Sequence, residues 1–326
     1  MLDISIVVPV YNEIESVAVL CEKIHESLQG MDQSYEVILV DDGSTDGSWE
    51  KMVEQAGTYP HFHLIRLRSN FGQTAAMSAG FTECEGNIVI TLDADLQNDP
   101  SDIPMLLGRM NEGFDVVSGW REDRKDPFLS RRLPSLLANI LISKITGVPL
   151  HDYGCTLKAY RREVIKDVKL YGEMHRFIPA LASWVGGKIG EVSVKHYARQ
   201  FGQSKYGFSR TYRVVLDLLT VKFLLRYSTG PMQIFGKIAA LFGVTALAIF
   251  AAMFLGHISW RFLGTEFAKD LIKRPFWVMS SFMMIFFSVQ FICMGLLAEI
   301  QIRTWHESQD KPIYVVRERR RSENAR

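Results

Sequence analysis

Cysteine is scarce in this sequence: Cys21, Cys84, Cys155 and Cys293 are the only four in 326 residues, far apart and without a C-x-x-C pair. That spacing argues against a thiolate zinc site or a disulfide framework and for a reducing compartment. No two of the eight histidines stand four apart, so a helix-borne histidine zinc site has no support either. His175, in MHRFIPALASWVG, is read as structural. Neither G-x-x-x-x-G-K-[ST] nor G-x-G-x-x-G occurs, which removes the P-loop and the dinucleotide fingerprint. The start, MLDISIVVPV, has no basic segment ahead of a long apolar run, so no signal peptide is expected.

Net charge is also low, formally +1, but it is unevenly spread. Acidic residues crowd into the first half, whereas Lys311 to Arg326 is dominated by arginine, so the two halves face different surroundings. Two long apolar runs stand out. Met232 to Leu255 carries one charge, Lys237, and Phe276 to Ala298 carries none. Each is long enough to cross a bilayer as a helix, and Trp260, Trp277 and Trp305 near their ends suit the interface. The basic tail predicts a cytoplasmic C-terminus. Two spans return the chain to the same side, which puts the N-terminal part in the cytoplasm as well.

The remainder alternates short apolar runs with amphipathic ones. Strands are expected at Ile4–Val8, Tyr35–Val40, His63–Leu67, Ile88–Leu92 and Asp115–Ser118, with helices at Ile14–Leu28, after Asp46, at Gln73–Cys84 and near Pro100. This is the pattern of an α/β domain with a mostly parallel sheet covered on both faces. Ligands of such sheets gather at the carboxyl ends of the strands, and the polar motifs follow that rule: PVYNE (Pro9–Glu13), DDGSTDGS (Asp41–Ser48), RSNFGQ (Arg68–Gln73) and TLDADLQNDP (Thr91–Pro100). In the last, Asp93, Asp95 and Gln97 at alternate positions can present oxygen to one point, which suits Mg2+ or Mn2+ held together with substrate phosphates. A lone D-x-D is equally good turn chemistry, as is DDGS. Four polar strand ends in succession favour a site.

The combination of VVPVYNE, VDDGSTDGS, SNFGQTAAMSAG and TLDADLQNDP resembles the family-2 glycosyltransferases of GT-A fold. The later SGWREDR, DYGCTLKAYRRE and RQFGQSKY resemble the branch that loads sugars onto polyprenyl phosphates, dolichyl-phosphate mannose synthases and bacterial undecaprenyl-phosphate enzymes included. The likeness runs from Ile4 to about Tyr206 and extends to the two apolar runs. It implies that Pro9, Tyr11, Glu13, Asp42 and Asp93 hold the nucleoside diphosphate, that Asp93, Asp95 and Gln97 hold the metal, and that Arg121, Arg131 and Ser135 bind the acceptor phosphate. Asp152 would stand at the reacting centre as base or orienting group, with Asp95 the other catalytic carboxylate. Where the family often has Gly-Phe-Arg, this chain reads Cys155-Thr156-Leu157-Lys158, so Lys158 is a candidate for that arginine's phosphate contact. Arg199 and Lys205, in the Gly-containing basic loop ARQFGQSKYG, are candidates to close over the phosphates. Arg124 and Arg132 are left without a role.

The chemistry is consistent with those residues. A departing nucleoside diphosphate gains negative charge, which a divalent cation offsets. A phosphate monoester acceptor, with a second pKa near roughly 6, is mostly dianionic at neutral pH and needs little help from a base. It needs cations between it and the donor, and arginine forks suit phosphate. SRRLPSLLANILISKI (Ser130–Ile145) and SRTYRVVLDLLTVKFLLRY (Ser209–Tyr227) mix apolar stripes with basic flanks, as interfacial helices do, although cover by the sheet or a second subunit would produce the same stripes.

The expected organisation is a cytoplasmic GT-A domain over 1–208, an interfacial helix at 209–228, two transmembrane helices within 229–302 (about 232–255 and 276–300) and a basic cytoplasmic tail at 303–326. The expected partners are a nucleotide sugar, with UDP-glucose as first choice and GDP-mannose or another UDP-sugar as alternatives, undecaprenyl or a similar polyprenyl phosphate, and the bacterial inner membrane. A homo-oligomer such as a tetramer is expected and nucleic acid is not; Gly236, Ala240 and Gly243 could bring spans together. A processive polysaccharide synthase would need more spans and a Q-x-x-R-W motif, which is absent. A non-catalytic sensor would not need Asp93, Asp95 and Asp152 intact.

Overall fold

The computed structural model describes residues 2–122, 133–166, 168, 170, 174–198, 232–264, 275–308 and 313–321. The chain divides into two compact units, Met1–Lys222 with Pro312–Arg326, and Phe223–Lys311.

The first unit is built on a sheet of β1 (Ile4–Val10), β2 (Tyr35–Asp41), β3 (Phe62–Leu67), β4 (Ile88–Thr91), β5 (Val116–Trp120), β6 (Lys158–Arg161), β7 (Ile189–Ser193) and β8 (Val316–Arg320), in the order β7-β5-β6-β4-β1-β2-β3-β8. Pairings among β1 to β4, and between β5 and β7, are parallel, while β6 runs antiparallel to β4 and β5. The helices are α1 (Val17–Gln29), α2 (Ser48–Thr58), α3 (Gln73–Glu83), α4 (Ile103–Asn111), α5 (Leu133–Thr146), α6 (Arg162–Lys166) and α7 (Ile178–Trp184). The α/β, mostly parallel architecture read from the sequence is therefore the one observed.

The first strand is apolar on both faces because both are covered: Ile4, Ile6, Val7 and Val8 are all fully buried. α1 buries Val17, Leu20, Cys21, Ile24 and Leu28, the i, i+3, i+4, i+7 stripe that predicts its helix. α3 uses small residues instead. Ala75, Ala76, Ala79 and Gly80 are buried, and a Cβ on Gly80 would come within 2.3 Å of Val7 Cγ1, so the helix lies close on β1. That close approach fixes where the first residue of α3, Gln73, points.

Because the order runs β3-β2-β1-β4, the direction of winding reverses between β1 and β4, and a crevice opens at their carboxyl ends. Register sets its walls: Val7 pairs with Thr91, and Val10 with Asp41. The motifs after β1, β2 and β4 thus converge on one edge of the sheet.

The segment read as a basic tail contributes the eighth strand, antiparallel to β3. Arg319 lies 3.2 Å from Glu83, Arg321 lies 2.8 Å from Glu85, and the Arg320 guanidinium sits over the Trp49 ring. V-R-E-R-R has no apolar alternation to announce a strand. It is one because the open edge of β3 accepts it and the carboxylates of α3 and the turn beyond match its charge.

The second unit contains two helices, Met232–Leu263 and Pro275–Ser308, both with stretches long and apolar enough to cross a membrane. They pack on Ala239, Gly243 and Ala246, spaced i, i+4, i+7; Ser288 Oγ donates to the Ala239 carbonyl at 2.8 Å and lies where a Gly243 Cβ would meet it. Of the small residues singled out in the sequence, Gly243 is in this contact, while Ala240 is exposed and Gly236 has open space. The expected interfacial helix at 209–228 lies outside the described residues.

One glycine in the first unit is required by geometry. Gly43 has φ +72°, and a Cβ there would stand 2.5 Å from the Ser69 carbonyl carbon. Gly43→Ala is expected to destabilise the protein by about 2 kcal/mol or more, from the left-handed φ and the clash together. Thermal unfolding should register this as a midpoint lower by roughly 4–8 °C.

Candidate active site

The loops after β1 and β2 are zipped together. Asn12, at φ +51°, accepts the Thr45 N–H on Oδ1 at 2.9 Å and gives its own N–H to Ser44 Oγ at 2.9 Å. Glu13 N–H reaches Ser48 Oγ at 2.8 Å, and Ile14 N–H reaches Asp46 at 3.1 Å. These bonds set Pro9, Tyr11 and Glu13, all half-buried, along one side of the crevice. Asn12 carried no role in the sequence reading, although asparagine's tolerance of positive φ in a strand-end turn is the signal that finds it.

Asp42 takes a different position from the one expected of a simple nucleoside acceptor. It is buried, and its two carboxylate oxygens accept the N–H groups of Phe71 at 2.7 Å and Gly72 at 2.9 Å. Burial pushes its carboxyl up to about 6, although both N–H groups favour the charged form. Asp42 therefore holds the loop that leads into α3. Its neighbour Asp41 is fully buried, accepts Ser44 N–H at 3.0 Å, and lies 3.3 Å from Arg66, whose guanidinium sits over Trp49.

After β4 the burial alternates: Leu92, Ala94, Leu96 and Asn98 are buried, while Asp93, Asp95 and Gln97 are half-exposed. Leu96 has φ +58°, rare for a residue with a Cβ, and its side chain is 2% exposed. Burying the Leu96 side chain holds the strained turn that leaves the two aspartates on the open side. Gln73 Nε2 donates to Asp93 Oδ1 at 2.7 Å, and Thr156 Oγ1 donates to Asp93 Oδ2. Asp95 accepts Gln97 N–H at 3.2 Å. The backbone of Gln97 pairs with Tyr197, which joins the D-x-D turn to the segment after β7.

No group of three His, Cys, Asp or Glu side chains clusters among the described residues in a way that could hold a metal by itself. Asp93 and Asp95 do fit a magnesium- or manganese-type ion, which takes one or two carboxylates and completes its shell with phosphate oxygens and water. The donor set is that of a site completed by its substrate.

On the other side of β4 stands an ion pair with a buried carboxylate and a half-buried guanidinium. Arg121, one residue past β5, donates from Nε and one Nη to the two oxygens of Asp152 at 2.7 and 3.0 Å. Gly154 N–H adds a third bond to Asp152 at 3.0 Å. Burial alone would lower the arginine's pKa; Asp152 outweighs it and keeps Arg121 firmly charged. The sequence reading gave these residues separate tasks, one on the phosphate and one as base or orienting group at the reacting centre. The fold pairs them, because β5 and β6 are neighbours although Arg121 and Asp152 are 31 positions apart.

Lys158 departs from expectation. It is on β6, 2% exposed, and its ammonium donates to the carbonyls of Cys155 and Tyr153. Desolvation lowers its pKa. A lysine turned inward beneath the turn braces that turn. Ser135 is half-buried at the start of α5. Arg124, Arg131, Arg132, Arg199 and Lys205 lie outside the described residues. His175 bonds Thr74 Oγ1 at 2.8 Å through Nδ1 and is buried, in line with a structural role. Gln73, Thr156 and Glu191 carried no role in the sequence reading. Glu191, on β7, accepts the N–H groups of His151 and Asp152 at 3.0 and 3.1 Å, a contact between segments that no local pattern marks.

Comparison with known proteins bears on the family and the fold. Residues 5–169 match the family model described as Glycosyl transferase family 2. The chain is 45% identical over 326 residues to a dodecaprenyl-phosphate galacturonate synthase of Rhizobium johnstonii, covering 97% of this chain and 93% of that protein. It is 36% identical over 315 residues to an undecaprenyl-phosphate 4-deoxy-4-formamido-L-arabinose transferase of Proteus mirabilis, covering 96% and 92%. Among solved structures, glucosyl-3-phosphoglycerate synthase from Mycobacterium tuberculosis, in complex with Mn2+, UDP and phosphoglyceric acid, has a TM-score of 0.55 at 19% identity, covering 68% of this chain and 78% of that one. That likeness is one of fold.

The raised Asp42 carboxyl generates a pH effect of definite sign. The folded state holds this proton up to about pH 6, whereas an unfolded aspartate near 3.8 has released it, so Asp42 contributes stability at low pH that is lost as pH rises through about 6. Unfolding of the native protein and of Asp42→Asn, measured from pH 4 to pH 7, should show the native protein losing on the order of 2 kcal/mol relative to the variant.

Proposed function

The chain belongs to glycosyl transferase family 2, and on that premise we propose that this glycosyltransferase moves a single sugar from a nucleotide donor to a polyprenyl phosphate at a membrane surface. The observation that carries the reading is the pairing of two half-exposed aspartates at the β1/β4 crevice with the Arg121–Asp152 pair one strand away. Two relatives that match almost the whole chain are named for polyprenyl-phosphate sugar transfer, and the two long apolar helices supply the membrane anchor. Their sugars are galacturonate and 4-deoxy-4-formamido-L-arabinose, and the glucose expected from the motifs has no support among them. We therefore favour galacturonate, which is the sugar of the relative with 45% identity.

The division of labour follows the two walls of the crevice. Pro9, Tyr11, Glu13 and the loop held by Asp42 receive the nucleoside. Asp93, Asp95 and Gln97 would hold Mg2+ or Mn2+, which when bound offsets the charge that grows on the diphosphate. An acceptor phosphate oxygen attacks the anomeric carbon from the face opposite the leaving group; the bond to the diphosphate breaks, its electrons leave with the nucleoside diphosphate, and the configuration inverts. The acceptor dianion carries no proton that must be removed, so Asp152 need not be a base. Its carboxylate fixes the Arg121 fork, and a guanidinium has five N–H donors, enough to serve the carboxylate and still meet phosphate oxygens.

The catalytic unit and both chain ends are proposed to lie on the cytoplasmic side of a bacterial inner membrane, from the basic residues beyond the second apolar helix. α5 supports a membrane-surface location for the acceptor site. It leaves Leu136, Ile140 and Leu141 exposed.

Purified protein in lipid, with Mg2+ or Mn2+ and a polyprenyl phosphate, should convert labelled UDP-galacturonate into an organic-extractable product, and UDP-glucose or a 4-formamido-arabinose nucleotide far less well. A preference for either of the last two would overturn the sugar, and long water-soluble polymer would overturn single transfer. Asp93→Asn and Asp95→Asn are each expected to cut transfer by roughly 100-fold or more with the unfolding midpoint unchanged; normal metal-dependent turnover in either would remove the crevice from the reaction.

A further inference from the structure

α5 turns a mixed face to the protein, with Ile142 buried beside three polar side chains, and leaves Leu136, Ile140 and Leu141 exposed. Asn139, Ser143 and Thr146, at i, i+4 and i+7, form one face, and that polar face is turned toward the protein. Asn139 is 8% exposed, whereas Leu136 is 53% and Ile140 56% exposed. The polar face is fully used. Asn139 Nδ2 donates to the His151 carbonyl at 2.7 Å. Ser143 Oγ donates to the Leu150 carbonyl at 3.2 Å, and Thr146 Oγ1 meets the Tyr153 hydroxyl at 3.0 Å. These three contacts bracket Asp152. From the far side, Glu191 takes the His151 and Asp152 N–H groups. The turn bearing Asp152 is thus clamped between a strand of the sheet and a helix whose outer face is apolar.

We propose that α5 is a positioning helix: its Leu136–Ile140 face rests in the bilayer surface, and Asn139 transmits that contact to the turn that carries Asp152 and, through it, to Arg121. The inference rests on the reading of the enzyme as a lipid-phosphate transferase. The bilayer is the occupant because the same chain carries two apolar helices of spanning length and its proposed acceptor is a lipid. A carboxylate–arginine pair held only by the protein would be set once at folding. A pair held through α5 takes its productive geometry when the helix lies on lipid, where the acceptor is. Small displacements of such a pair have large kinetic effects, since about 1 Å can cost roughly 100-fold in rate.

The test is a double-mutant cycle on the full chain in lipid nanodiscs. Asn139→Ala is expected to lower kcat by roughly tenfold with the KM for the nucleotide sugar unchanged. Asn139→Asp, which keeps the shape and loses the donor, should do the same, and it carries the test if the alanine variant folds poorly. Ile140→Ser removes an exposed side chain and should also lower kcat. The double variant should be no slower than the slower single one, because once the tie at Asn139 is cut the lipid contact has nothing to act through. Additive losses, an unchanged kcat in the Asn139 variants, or a change confined to KM would overturn the proposal. So would a fall in kcat for Ile140→Ser accompanied by a smaller oligomeric mass, which would make this face a subunit contact. A native protein that gives no lipid-linked product with any donor would sink the functional reading itself, whereas additivity in an active enzyme sinks only the coupling.

Discussion

The bidentate pair between Arg121 and Asp152 is the contact around which one side of the crevice, the side proposed to take the acceptor, is arranged. A buried carboxylate against a guanidinium is costly unless the two are paired in good geometry, and here several elements together hold that geometry. β5 delivers Arg121, the turn before β6 delivers Asp152 and the Gly154 N–H, Glu191 on β7 holds the backbone of that turn, and Lys158 braces the carbonyls below it. α5 closes the arrangement from outside. Removing Arg121 would leave the Asp152 charge buried and alone, so the pair makes these elements depend on one another.

The side proposed to take the donor is built on a different principle. Its acidic groups are held by neutral donors: Phe71 and Gly72 N–H on Asp42, Gln73 and Thr156 on Asp93. Hydrogen bonds of this kind fix the direction of a carboxylate without cancelling its charge, which is what a cation brought in with a diphosphate requires. One wall of the crevice keeps its negative charge and the other is neutral overall. A dianionic acceptor and an anionic donor can meet there only if the proposed metal and Arg121 divide the phosphates between them.

Much of this was legible in the chain. Short apolar runs and amphipathic stretches gave the first five strands and their helices, because a buried parallel strand must be apolar on both faces and its covering helices must be striped. The Asp93, Asp95, Gln97 alternation was readable for the same reason, and the structure shows the three on the open side with Leu92, Ala94 and Leu96 buried between them. What sequence reasoning missed lies in contacts between distant segments. Asp42 carries a second task that no local pattern marks, support of the 71–72 loop through both carboxylate oxygens. Lys158 looked like a phosphate ligand, and on β6 it faces the interior. β8 looked like a tail and completes an edge, since V-R-E-R-R becomes a strand only beside β3.

The sequence by itself determined the α/β class, the polar strand ends, the two apolar helices and the family, because these follow from local periodicity and from motifs that keep their order along the chain. The tertiary structure decided which charges meet. Arg121 and Asp152 are 31 positions apart and share two hydrogen bonds, and Asn139 on a surface helix touches the turn between them. No local pattern encodes such pairings. They come from the strand order, which inserts β6 antiparallel between β4 and β5 and so folds the Asp152 turn back over the carboxyl end of the sheet.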